Sequence, residues 1–146
     1  MTAVREQLVA AVRPYRGAPW RHLGRSPLGV DCLGLLILAG RDAGLLPPGR
    51  DWLGYSTNTA DYRLVEEMEA CEFLERLPSW RDAREGDVLL QKFHSARPAS
   101  HVLVVTRFDG TYWWAMHAPR EGRSVVETRV AHTERCFAAF RLKGVA

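Results

Sequence analysis

The sequence predicts an α+β fold, helices first and a meandering antiparallel sheet second, and three observations carry that prediction. Apolar residues recur at helical spacing through the first half of the chain. After Glu85-Gly86-Asp87 the period shortens to that of strands. Turn signals such as Phe108-Asp109-Gly110 and Pro119-Arg120-Glu121-Gly122 then separate the strand-like runs. With 146 residues the chain fits one domain, 1–146, around one core.

The elements follow in order. Thr2 to Val12 carries apolar residues at Val4, Leu8, Ala11 and Val12, one face of a helix that Thr2 caps and Pro14 ends. A Gly/Pro-rich loop from Gly17 to Gly29 leads into Asp31. The apolar run Cys32 to Ala43, closed by Gly44 and Pro47-Pro48, reads as a buried helix with Asp31 at its N-cap and Cys32 at the first helical position. Tyr55 falls in a loop. A second amphipathic helix is expected over Asp61 to Leu77, with Leu64, Met68, Cys71 and Leu74 on its apolar face. Strands are expected at Val88-Leu89-Leu90, His101 to Arg107, Thr111 to His117, Ser124 to Val130 and Cys136 to Leu142.

Composition narrows the function classes. Hydrophobic residues are 47% and charged residues 25%, an ordinary globular balance. A net charge of +3 favours anionic surfaces in general, and no nucleic-acid motif accompanies it, so nucleic acid is not an expected partner. No apolar run nears the roughly 18 residues of a membrane span, and Met1 to Val12, bearing Arg5 and Glu6, lacks a signal-peptide core. Three cysteines, Cys32, Cys71 and Cys136, match neither a disulfide framework nor zinc-knuckle spacing. One working thiol and two packing residues account for them, with no metal and no cofactor.

The working thiol is Cys32. A helix N-terminus presents unpaired N–H groups and the positive end of the dipole, which favour a thiolate and a developing oxyanion. Nucleophilic catalysis also needs a base and a group to orient it. His101, opening a strand beside Ser100, is the candidate base, and His117, closing the next strand, is the candidate orienting residue. A three-residue loop centred on Asp109, with Gly110 left-handed, sets His101 directly opposite His117 on one face of the sheet. A two-residue loop shifts the register by one and spoils the pairing. His22, His94 and His132 fall in loops without a matching partner and read as surface residues.

The same residues match a known family. Gly17-Ala18-Pro19-Trp20-Arg21, Gly24 and Pro27-Leu28-Gly29-Val30-Asp31-Cys32-Leu33-Gly34-Leu35 closely resemble the nucleophile segment of NlpC-type cell-wall cysteine peptidases, where a Gly-x-Pro-Tyr stretch leads into Gly-x-Asp-Cys-Ser-Gly-Leu. Glu85-Gly86-Asp87-Val88-Leu89-Leu90 resembles that family's Pro-Gly-Asp-Leu strand start. Ser100-His101-Val102 resembles its His-Val-Gly strand, and Met116-His117-Ala118-Pro119 its third-residue segment. The resemblance implies a reduced papain-like fold with the nucleophile helix packed on a small antiparallel sheet. It implies Cys32 as nucleophile, His101 as general base and His117 as orienting residue, with Trp20 and Asp31 as candidate substrate or oxyanion contacts.

Trp20 stands where many members carry Tyr, Leu33 replaces the usual Ser and Leu103 the usual Gly. Asp31-Cys32-Leu33-Gly34-Leu35, the Asp51-Trp52-Leu53-Gly54-Tyr55-Ser56 segment and the short length resemble a subgroup encoded with phage tails and gene transfer agents. The expected function is therefore a cysteine endopeptidase cutting peptidoglycan stem peptides, made in the host cytoplasm without a signal peptide. It would be assembled with tail hub or tail-tip proteins and act in the cell wall or periplasm. The alternative is a structural tail-tip subunit of the same fold with little or no catalysis. A metal-dependent hydrolase using His101 and His117 is disfavoured, because no Asp or Glu stands at ligand spacing with them.

Overall fold

The computed structural model describes residues 3–55, 63–93, 98–120 and 124–143. Helix α1 (Ala3–Val12) passes into a 3-10 turn over Arg13–Tyr15, where Pro14 takes an early position that needs no donor. The Thr2 cap lies outside the described residues. The Gly/Pro-rich loop contains a two-stranded ribbon, β1 (Arg25–Ser26) and β2 (Gly29–Val30), which delivers the chain to α2 (Cys32–Asp42). Helix α3 (Leu64–Ala70) precedes β3 (Leu74–Arg76), β4 (Asp87–Gln91), β5 (His101–Phe108), β6 (Trp113–His117), β7 (Val126–Arg129) and β8 (Cys136–Leu142). The last six strands form one antiparallel sheet in the order β3-β8-β4-β5-β6-β7. This is the α+β layout expected from the pattern, helices then meander.

One element departs from expectation. The helix read over Asp61 to Leu77 ends at Ala70, its start at 61–62 lies outside the described residues, and Leu74–Arg76 is instead an edge strand on β8. Leu64, Met68, Cys71 and Leu74 are all buried, as the spacing required. Leu74 reaches the core as well from a strand as from a further helical turn, so periodicity alone could not separate the two. The open edge of β8 supplied the hydrogen-bond partners that decided it.

The centre of the sheet is covered on both faces. Val88, Leu90, Val102, Val104, Met116 and Phe140 belong to the larger core under α1 and α2. Leu89, Leu103, Val105, Ala115 and Ala139 form a second layer with Leu77, Ala83 and Val130. Two-sided burial explains why β4 and the start of β5 read as continuous apolar runs rather than alternating ones. Helix α2 sits close to the ribbon because residue 34 is Gly: a Cβ there would lie 2.2 Å from the Gly24 carbonyl oxygen. Asp87, fully buried, fastens the far end, accepting both arms of Arg141 at 2.8 and 2.9 Å, with Arg5 of α1 at 3.8 Å. Among the described residues no helix is long and apolar enough to cross a membrane.

The β5–β6 hairpin differs from the simple turn that the sequence suggested. Gly110 is left-handed (φ 100°), but the loop between Phe108 and Trp113 has four residues, Asp109 to Tyr112. The Asp109 carboxylate holds it open by accepting from the Thr111 and Tyr112 amides at 2.8 and 2.7 Å. A bulge between Val105 and Arg107 then shifts the register, so that Val104 faces Met116. Continued along the strands, that register puts Leu103 opposite His117, and His101 lies one diagonal step away on the same face.

Candidate active site

Asp31 caps α2 by accepting the Gly34 amide at 2.7 Å, which fixes Cys32 as the first helical residue. Its other oxygen contacts tie it to the neighbouring loops. Oδ1 also takes Arg25 Nη1 at 3.1 Å, and Oδ2 takes the Leu23 amide at 2.9 Å and the Tyr55 hydroxyl at 2.5 Å. With 4% of its surface exposed and both oxygens committed to these donors, Asp31 serves as cap and anchor rather than as a substrate or oxyanion contact.

Arg25 is the hub of this network. Its Nε lies 3.0 Å from both oxygens of Asp51, and its Nη2 reaches the Trp52 carbonyl at 3.1 Å and the Tyr55 hydroxyl at 3.0 Å. Arg41 adds a second cation to Asp51 at 3.4 Å. The 51–55 segment is thereby clamped to the helix start. His22 is also part of this corner, half-buried and edge-on to Tyr55 with ring centroids 5.6 Å apart, rather than a surface residue.

Across from the cap lies the start of β5. Cys32 Sγ is 3.6 Å from the Ser100 carbonyl oxygen and interacts with the Val102 amide, so the sulfur rests on the backbone on either side of His101. His101 is 6% exposed, and its Nε2 lies 2.9 Å from His117 Nδ1. His117 Nε2 in turn lies 2.9 Å from Thr128 Oγ1 on β7. The Phe93 ring packs on the other side of His101 at 5.5 Å between centroids. The remaining ring nitrogen of His101, Nδ1, is the one with no part in the pair of histidines.

The electrostatics differ from the sequence expectation. A helix N-terminus was expected to favour the thiolate, yet burial pushes the Cys32 thiol up to about 12, with the Asp31 charge adding to the rise. The amides of Val102, Leu33 and Cys32 itself pull in the opposite direction without overcoming burial. Burial lowers His101 to about 3, helped by His117, and lowers His117 to about 4. At neutral pH the site therefore rests as a thiol beside two neutral imidazoles. The first-turn amides of Cys32 and Leu33 are directed at the sulfur, while the Gly34 amide is taken by the cap.

Trp20 pairs with Val30, two residues from the thiol, and the Arg120 guanidinium lies 5.6 Å over its ring. Cys71 is buried and Cys136 half-buried on β8, where Gln91 Nε2 approaches its sulfur at 3.6 Å. His132 is exposed and left-handed (φ 53°), 3.4 Å from Glu134, and His94 lies outside the described residues. Arg25, Asp51 and Thr128 were missed by sequence reasoning. An Arg six residues before the capping Asp, inside a turn-rich loop, was the one available hint of the first.

No family model matches the chain, and no curated protein does. Solved structures do. The NlpC/p60 domain of the peptidoglycan hydrolase SagA is 24% identical, with 92% of this chain and 96% of that one covered and a TM-score of 0.57. NlpC1 from Trichomonas vaginalis is 18% identical at a TM-score of 0.65, all of this chain covering 46% of that protein. An N-acetylmuramoyl-L-alanine amidase from Bacteroides uniformis is 10% identical, covered over 97% of this chain and 100% of its own, with a TM-score of 0.65. The fold is the papain-like fold of NlpC/p60 domains.

Proposed function

We propose that the chain is a cysteine hydrolase that cuts amide bonds in the stem peptides of bacterial peptidoglycan, with Cys32 as nucleophile, His101 as general base and His117 as orienting residue. One observation carries the reading: the capped N-terminus of α2 holds Cys32 against residues 100–102, and His101 there is hydrogen-bonded through Nε2 to His117. The solved structures of this fold include a peptidoglycan hydrolase and a muramoyl-alanine amidase, which supports the substrate class.

In the reaction, Cys32 sulfur attacks the scissile carbonyl as its proton passes to His101 Nδ1. Burial raises the thiol and lowers His101, which favours proton transfer together with attack over a thiolate formed beforehand. The oxyanion takes the Cys32 and Leu33 amides. His101 then returns the proton to the leaving amine, and water, deprotonated by His101, hydrolyses the thioester and frees the thiol. His117 holds the ring of His101 and stabilises its transient charge.

The finer setting follows the segment resemblance: a peptidase carried at a phage tail tip, bound to hub proteins, that opens the wall during genome delivery. The neutral resting pair supports the second reading, a structural subunit with little catalysis. Mass spectrometry of purified wall fragments separates them. Release of cleaved stem peptides by the wild type, abolished in Cys32→Ala or after alkylation, is the expected result. Hub binding without any wall hydrolysis by the wild type overturns the enzymatic reading in favour of the structural one.

A further inference from the structure

We propose that Thr128 is a positioning residue for the reaction, its hydroxyl accepting the His117 Nε2 proton and so setting the direction of the hydrogen-bond chain that ends at His101 Nδ1. This role rests on the reading of His101 as the base. Two contacts define the chain, Thr128 Oγ1 to His117 Nε2 at 2.9 Å and His117 Nδ1 to His101 Nε2 at 2.9 Å.

Two neutral imidazoles joined in this way have two self-consistent arrangements. In one, Thr128 accepts, His117 carries its proton on Nε2 and accepts at Nδ1, and His101 carries its proton on Nε2. His101 Nδ1 is then a free lone pair, ready for the thiol proton. In the other, Thr128 donates, His117 carries its proton on Nδ1, and His101 accepts at Nε2 with its own proton on Nδ1. That arrangement has no base. A hydroxyl can do either, so what it does with its own proton decides. Thr128 is exposed on β7, and its hydroxyl proton has solvent to go to, which leaves the oxygen as acceptor. The first arrangement also gains during catalysis, because the His101 Nε2–H bond becomes charge-assisted when the ring is protonated.

The sheet places Thr128 for this purpose. His117 pairs with Val126 and Ala115 with Thr128, so Thr128 is the diagonal neighbour of His117 on the same face. Its contact with the hydrogen-bond chain is at His117 Nε2, so its role is exerted through His117.

The test uses Thr128→Val, which keeps the β-branched shape and removes the hydroxyl, and Thr128→Ser, which restores it. Ring nitrogen NMR shifts of His101 and His117 at pH 7 give the tautomers without requiring turnover. Wild type and Thr128→Ser should show both protons on Nε2, and Thr128→Val a mixture at His117. With a stem-peptide substrate, Thr128→Val should lose about tenfold in kcat at unchanged KM, and Thr128→Ser should recover it. The loss stays well short of the roughly 10⁴-fold cost of a base locked in the wrong tautomer, since water substitutes partly at an exposed site. A wild-type His117 proton on Nδ1, or a valine variant with wild-type tautomers and kcat, overturns the role of Thr128. Absence of hydrolysis by the wild type overturns the enzymatic reading instead, and leaves the tautomer measurement to decide the hydrogen-bond chain.

Discussion

Asp31 and His101 stand on opposite sides of the same sulfur and are held by different means. On the Asp31 side, charge meets charge away from bulk solvent: half-buried Arg25 spans buried Asp31 and half-buried Asp51, Tyr55 completes the ring, and a loop is fastened to the helix. On the His101 side the contacts among the described residues are uncharged: two imidazoles, a hydroxyl and an aromatic face. The ionic side is rigid because any missing partner strands a charge in a poor solvent. The neutral side keeps its protons mobile, as a group that must accept and return one requires. Framework and working part are thus separated by a single side chain.

Arg25→Ala tests the ionic side most severely. It leaves Asp31 and Asp51 without their shared cation, and urea unfolding should show a loss of about 3–5 kcal/mol. A loss below about 1 kcal/mol would mean that water or Arg41 replaces the guanidinium and that the corner is less dry than its exposure suggests.

Acid probes the neutral side. His101 and His117 titrate near 3 and 4 when folded and near 6.5 when unfolded, so between these values the unfolded chain binds more protons. Their contribution to stability is complete above about pH 6.5 and is lost as the pH falls towards 4 and 3. Each histidine should add about 1.4 kcal/mol per pH unit to the slope within its window. Denaturant midpoints measured from pH 7 to pH 4 should show this decline, and His101→Gln should flatten it by one histidine's share. An unaltered slope in that variant would place the titration elsewhere.

The smallest effect concerns the joint between the two sides. Ser100, on the stretch of backbone that receives the thiol, has a buried hydroxyl without a partner among the described residues. Ser100→Ala should stabilise the fold by about 1 kcal/mol in the same unfolding measurement. A destabilised variant would reveal a partner for that oxygen.

Asp31 and Cys32 were legible in the sequence because a helix cap is local: a polar residue, an apolar run and a spacing of three suffice. The histidines were legible to the level of a shared face but not of exact register, since the loop length depends on side-chain bonds such as those of Asp109 and the β5 bulge leaves no mark in the pattern. Arg25, Asp51 and Tyr55 converge from segments without periodicity, and no pattern marks them as partners. Thr128 depends on the register of a third strand. The short strand at Leu74 was hidden because its one buried residue also suits a helix.

The bulge in β5 carries a consequence for how such a hairpin can change length. Side chains alternate between faces, so a four-residue loop alone would send His101 and His117 to opposite sides of the sheet. The extra residue near Thr106 reverses that, and the two irregularities cancel. Insertions and deletions here are therefore tolerated in compensating pairs: the hairpin can lengthen by a loop residue and a strand residue together, but a single one separates the histidines.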